Sequence, residues 1–236
     1  MNLSTIHMLV YVGATIAGLL GSAACLFSAY RYVPQDIFDG TVNILVEPTT
    51  VIIPAWYAAL VLIAGTCLSL SILRQSNSIL DYLALYLVFF ALLAIALMDL
   101  EWQRIGLDLF LPLAVGAIGW VLLHPISIWL ALISGGLGLF GLALWLIHAR
   151  QNHGDLVLAI LVGLLCGAGV TNLGQTLLVA VWLCIGICAG ALTMLVHSLA
   201  AWLGKSHNSD TQSFWQQTSA MGPVFLLGAL FVVFLR

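Results

Sequence analysis

The run Ile79-Leu80-Asp81-Tyr82-Leu83-Ala84-Leu85-Tyr86-Leu87-Val88-Phe89-Phe90-Ala91-Leu92-Leu93-Ala94-Ile95-Ala96-Leu97-Met98 leads straight into Asp99-Leu100-Glu101-Trp102-Gln103-Arg104-Ile105-Gly106. A helix needs roughly 20 predominantly apolar residues to cross the hydrocarbon of a bilayer, and 79–98 supplies them with Asp81 as its one charge. Three charged side chains, Asp99, Glu101 and Arg104, then fall together. A second acid, Asp155, stands in His148-Ala149-Arg150-Gln151-Asn152-His153-Gly154-Asp155, again where an apolar run meets a polar break.

Those clusters stand out because charge is scarce: the 236 residues include six basic and nine acidic side chains, and 63% are hydrophobic. With a mean hydropathy of +1.15, a soluble core of this length cannot hide so much apolar surface. Composition therefore predicts an all-α, polytopic membrane helix bundle. The runs are continuously apolar and do not alternate with period two, which argues against a transmembrane barrel. Six basic residues make no basic patch, so nucleic acid is not an expected partner, whereas membrane lipid is. Cys25, Cys67, Cys166, Cys184 and Cys188 all lie inside apolar runs and form no C-x-x-C pair. They read as small buried hydrophobes, and neither a metal site nor a disulfide framework is expected. Met1 to His7 carries no Lys or Arg, so the first apolar run reads as a permanent helix and not as a cleaved signal.

Eight spans are predicted, at about 8–30, 51–73, 79–98, 105–123, 126–147, 155–171, 174–200 and 222–235, in a single integral membrane domain covering 1–236. The last is short. The segments 31–50 and 205–221 are the longer loops, and no internal repeat is evident. With the N-terminus outside, Arg31, Arg104, Arg150 and Lys205 fall on the cytoplasmic side, with Arg74 and Arg236 opposite, as the positive-inside bias prefers. Two spans separate Asp99 from Asp155, so both acids fall on that same side. Gly163-Leu164-Leu165-Cys166-Gly167 and Gly186-Ile187-Cys188-Ala189-Gly190 have the small-residue spacing that lets helix backbones approach closely. Packing within the chain is their first reading and the face of a homo-oligomer the weaker one. Ser134-Gly135-Gly136-Leu137-Gly138 reads as a flexible or closely packed patch.

Taken singly, each acid reads as an interfacial charge. Asp155, just after Gly154, also suits a helix start, where the backbone dipole favours negative charge. Taken together they suggest chemistry. Two carboxylates in one partly desolvated place cannot both ionise cheaply, so one holds its proton. The protonated acid can then polarise a peptide carbonyl while the ionised one takes a proton from water.

The same residues resemble a known family. Asp99-Leu100-Glu101-Trp102-Gln103-Arg104-Ile105, followed by Leu111-Pro112, is similar to the first active-site motif of the type IV prepilin leader peptidases, GxGD-type intramembrane aspartic peptidases. Gly154-Asp155 with Gly163 and Gly167 resembles their second motif. Gly21-Ser22 with Arg31 and Pro34, and Ala220-Met221-Gly222-Pro223-Val224-Phe225-Leu226, are weaker likenesses to the family's two ends. The resemblance implies Asp99 and Asp155 as the catalytic pair, with Glu101 binding the positive charge of the leader. It implies removal of the short basic leader of a prepilin or pseudopilin at the cytoplasmic face of a bacterial inner membrane. Proteolysis needs no cofactor. The longer family members also methylate the new N-terminus with S-adenosylmethionine, but their cytoplasmic cysteine pairs have no counterpart here. Gly106, Leu107, Asn152 and Val157 depart from the motifs, which keeps a non-catalytic protein of the same architecture as one alternative. A transporter using Asp99, Asp155 and His197 as a path is another. His197 otherwise reads as a packing residue, Asp81 as a boundary charge near the outer face, His153 as an exposed loop residue, and Arg104 and Arg150 as headgroup anchors.

Overall fold

In a computed structural model, residues 3–31, 55–102, 107–148, 153–204 and 222–235 are described. Its account of side chains covers 8–29, 55–99, 108–143, 156–189, 192, 195 and 222–234. The described residues form eight α-helices and no strand: α1 (Leu3–Arg31), α2 (Ala55–Gln75), α3 (Ile79–Trp102), α4 (Phe110–Leu123), α5 (Ile128–His148), α6 (His153–Gly167), α7 (Leu173–Gly204) and α8 (Gly222–Leu235). A 3-10 turn at Leu107–Leu109 leads into α4.

Each helix coincides with one of the predicted apolar spans, because an uninterrupted apolar run satisfies its backbone polar groups most cheaply as a helix. Polar residues mark the ends. Ser78 accepts the Asp81 amide at 3.1 Å to start α3, and Ser76 Oγ donates to Ile72 O at 2.7 Å to close α2. At the start of α7, Asn172 Oδ1 accepts the Gln175 amide at 2.9 Å while Gln175 Oε1 accepts the Thr171 amide at 2.8 Å. This is a reciprocal cap. Gly169, at φ 74, makes the reversal between α6 and α7, a conformation in which a Cβ is strained. For this reason α6 ends at Gly167, short of the predicted 171.

The opening stretch of the sequence is the central helix. One side of α3 packs with α4, α6 and α8 around Phe89, Leu92, Leu113, Leu158 and Phe225, all fully buried. Its other side packs with α1 and α2 around Cys25, Val61, Phe90 and Met98. Small residues set the α1–α2 approach: a Cβ on Gly18 would stand 2.8 Å from Thr66 Cα, and one on Gly65 would overlap the Ser22 hydroxyl. Hydroxyls then tie the three helices together. Ser69 Oγ donates to Ala14 O at 2.7 Å and pairs with Tyr82 OH at 2.8 Å, and Tyr86 OH donates to Ala17 O at 2.8 Å.

Among the described residues much of the outer surface is apolar. On α4, Leu111, Val115, Ile118 and Leu122 make an exposed stripe at helical spacing, with Leu122 73% exposed. Leu173, Leu177, Val181 and Ile185 do the same on α7. Apolar patches on soluble monomers seldom reach this extent. Among the described residues three helical stretches, Met8–Ala29, Ala55–Gln75 and Ile79–Asp99, are long and apolar enough to cross a membrane.

One expectation needs correction. Cys25 and Cys166 are buried as expected, but Cys67, Cys184 and Cys188 are exposed, because a small hydrophobe suits an apolar outer surface as well as a core. The 134–138 patch is closely packed at Ser134, whose Cα lies 2.8 Å from where a Cβ on Gly163 would stand. It is regular helix within α5, and Gly135 and Gly136 face open space. Asp81 stands in the first turn of α3, at the boundary of its apolar run, and is only 7% exposed there.

Candidate functional site

Asp99 ends the apolar part of α3 and is 1% exposed. Its Oδ2 accepts a hydrogen bond of 2.6 Å from the backbone N–H of Gly222, a residue 123 positions later in the chain. Gly222 opens α8 and Pro223 follows it. A helix leaves its first amides without intrahelical acceptors, and its N-terminus carries partial positive charge. Proline has no N–H to offer, so the Gly222 amide is the donor that α8 presents ahead of Pro223. A carboxylate is a natural acceptor for it.

The approach depends on glycine. A Cβ at position 222 would stand 2.8 Å from Ala96 Cα, 3.2 Å from Ala96 N and 3.2 Å from Asp99 Cβ. Two of these neighbours are backbone atoms that cannot swing aside. Pro223, Val224 and Phe225 are buried behind it, so the first turn of α8 is seated against α3 by both packing and hydrogen bond.

The glycines of the predicted second motif have a different task. A Cβ on Gly163 would stand 2.8 Å from Ser134 Cα, and one on Gly167 would stand 3.1 Å from Leu130 Cα. They seat α6 antiparallel on α5. The Gly186 of the other motif lies against α8, where a Cβ would stand 2.5 Å from Gly228 Cα. Both patterns therefore pack helices within the chain, their first reading.

Antiparallel register fixes which ends lie together. Gly116 and Gly119 of α4 face Ala84 of α3, so α4 runs back along α3. The turn between α4 and α5 meets the turn between α6 and α7 through Ser127 Oγ donating to Val170 O. The start of α6, with Gly154 and Asp155 in its first turn, thus lies at the same end of the bundle as the end of α3 and the start of α8. Phe140 of α5 meets Phe225 of α8 with ring centroids 6.4 Å apart, and Phe89 of α3 meets Phe234 at 5.4 Å. The elements that carry Asp99, Gly222 and Asp155 are locked into one packed core.

The side chains of Asp155, Glu101, His153 and His197 lie outside the described residues, as do Arg104 and Arg150 altogether. Asp155 and Glu101 are placed by backbone alone, Asp155 in the first turn of α6 and Glu101 in the last turn of α3. In the sequence, Gly222-Pro223 stands out only by its likeness to a family end. A Gly-Pro pair closing a polar segment before an apolar run was the available signal of a helix start; that Asp99 would be its acceptor had none.

Among the described residues no group of three or more His, Cys, Asp or Glu side chains is disposed to hold a metal. A cleft of about 360 Å³ opens between α2 and α8, lined by Ala64, Cys67 and Ser71 on one side and by Leu230, Phe231 and Phe234 on the other. Its lining carries no charged group. No family model matches the chain, and neither a curated protein nor a solved structure matches it.

Proposed function

We propose that the chain is a polytopic protein of a bacterial inner membrane, its eight helices within the bilayer, and an aspartic endopeptidase of the prepilin leader peptidase kind. The observation that carries this reading is Asp99: a carboxylate 1% exposed at the end of the long apolar run of α3. Burying such a group in apolar surroundings is expensive, and an acid retained there is a functional candidate by default. The position of the α6 start, with Asp155, at the same end of the bundle supports the pairing. The exposed apolar stripes on α4 and α7 support the membrane.

Helix lengths support a recessed site. The 15 residues of α6 and the 14 of α8 extend only about 22 Å, against a hydrocarbon core of about 30 Å. A substrate helix whose basic leader stays in the cytoplasm delivers its scissile bond to a matching depth. As the water oxygen bonds to the peptide carbonyl carbon, one carboxylate takes the proton that water loses. The other carboxyl gives its proton to the amide nitrogen as the C–N bond breaks, and the pair titrates as a unit. Glu101, in the last turn of α3, attracts the basic leader.

The Gly222 contact favours a second reading, in which Asp99 is only a remote cap that holds α8 in place. Co-expression with a prepilin separates the two. Asp99→Asn and Asp155→Asn are each expected to abolish leader removal while the amount of folded protein stays the same. Cleavage persisting in Asp99→Asn removes Asp99 from the chemistry and leaves the cap.

A further inference from the structure

Resting on the peptidase reading, we infer that the cleft between α2 and α8 is where the apolar helix of the substrate docks, its basic leader toward the Asp99 end and its far end toward Arg74. Both walls of the cleft start at the site end of the bundle. α8 opens at Gly222 against Asp99 and runs back along α3 until Phe234 meets Phe89. α2 is also antiparallel to α3: Ser69 pairs with Tyr82, while a Cβ on Gly65 would meet Phe90 Cε1 at 3.4 Å. The two helices therefore flank α3 in the same direction, and the cleft of about 360 Å³ between them follows the helix that carries Asp99. Its α8 wall, Leu230 to Phe234, lies about 12–18 Å along the axis from Gly222 at about 1.5 Å per residue. Substrate side chains that enter the cleft are thus about eight to twelve residues beyond the bond to be cut.

Shape and charge both select a helix. On α2, Ala64, Cys67 and Ser71 recur at helical spacing and are exposed; small side chains let a second helix backbone come close in lipid. Leu230, Phe231 and Phe234 of α8 form the bulky opposite wall. The volume takes the side chains of a docked helix and not the helix itself, which is about 10–12 Å across. Polarity sets the direction. The α2 stripe ends three residues past Ser71 at Arg74, exposed in the last turn. At the opposite end stand Asp99 and, in the last turn of α3, Glu101. The Arg74 end also holds Asp81, but that acid is 7% exposed and Arg74 is the exposed charge there. A helix that enters with its basic leader at the acidic end brings the negative end of its backbone dipole toward Arg74, so both ends are matched. A lipid tail gives up chain freedom to lie in a fixed cleft, whereas a helix arrives already ordered.

The experiment uses full-length protein reconstituted in bilayers and a synthetic peptide, a basic leader followed by an apolar helix of about 20 residues. The peptide carries one cysteine about ten residues beyond the bond to be cut. Cys67 lines the cleft, while Cys184 and Cys188 are exposed on α7, so the protein holds its own control for random encounter in lipid. A short lipid-soluble bismaleimide is expected to join the peptide to Cys67 about tenfold in preference to the other two, after normalising for each thiol's reaction with a monofunctional maleimide. Moving the peptide's cysteine beside the bond to be cut should lose the link. Ala64→Trp fills the cleft from an exposed position and should raise KM for leader removal about three- to tenfold with kcat within about twofold. Leu177→Trp, on the exposed stripe of α7, makes the same kind of change away from the cleft and should keep the parental KM. Equal linkage to the three cysteines overturns the inference, as does a Cys67–Cys67 link between two copies that the peptide does not displace, or a parental KM in Ala64→Trp. Linkage is read without cleavage, so the two readings part. Leader removal by both Asp99→Asn and Asp155→Asn overturns the peptidase reading while a preferred Cys67 link upholds the docking site; inactive variants with no preference for Cys67 overturn the docking site alone.

Discussion

Replacing Asp99 by Ala and by Asn should separate the carboxylate's structural share from its chemical one. The contact to weigh is the 2.6 Å bond from Gly222 N–H to Oδ2, on a side chain that is 1% exposed. In Asp99→Ala the amide loses this buried acceptor, which costs about 1–3 kcal/mol. Asparagine keeps an oxygen in nearly the same place. A bond to a neutral acceptor contributes about 0.5–1.5 kcal/mol against about 1.5–3 for one to a charged group, so Asp99→Asn should cost only about 1 kcal/mol. The assay is reversible unfolding in mixed micelles with rising anionic detergent. The near-ultraviolet signal of Trp182 is a suitable probe, because its ring packs on Phe231 of α8 at 6.2 Å. The predicted order is parent, Asn, Ala in falling stability, with both variants inactive in leader removal. An alanine variant as stable as the parent would refute the claim that this bond helps seat α8. An asparagine variant as weak as alanine would show that charge, not acceptor geometry, does the seating.

Other perturbations test the packing. Ser69→Ala removes the donor to Ala14 O and the partner of Tyr82 OH; a loss of about 0.6–1.7 kcal/mol is expected, read by the same micelle titration. Gly186→Leu drives a side chain into the Gly228 backbone and should cost at least the roughly 1–3 kcal/mol of overpacking. By contrast, a Cβ at Gly228 meets Leu183 Cδ1 at 3.5 Å and Ile187 Cγ1 at 3.7 Å, so Gly228→Ala should melt close to the parent. Thiol labelling checks the membrane reading. In bilayers Cys67, Cys184 and Cys188, being exposed, should react with a lipid-soluble maleimide and resist a charged one, while Cys25 and Cys166 resist both until the protein is unfolded; ready labelling of the three by the charged reagent would place water, not lipid, against those faces.

The chain's sequence already sets out its helices. Transfer of an apolar residue out of water is a local and nearly additive quantity, so runs such as 79–98 and 222–235 declare themselves without knowledge of their neighbours. Polar punctuation at Ser76, Ser78 and Asn172 then sets helix ends within a few residues. The even number of spans between Asp99 and Asp155 likewise follows from counting. Which face of each helix meets which partner does not. A helix apolar on all sides carries no amphipathic stripe to mark its inward face, and lipid accepts that face as readily as a core does. Hence Cys67 and Cys184 could not be told from Cys25 by pattern, nor the open Gly135 from the packed Gly163.

Sequence alone therefore determined an all-helical, strongly apolar chain, and singled out two acids at the margins of its runs. Only tertiary packing decided that α3 is the central helix and that Gly222 reaches Asp99 across 123 positions. The physical reason is that such a contact depends on the relative register of two helices, fixed by backbone atoms meeting where glycines remove the Cβ. That quantity belongs to pairs of segments and is written in neither one.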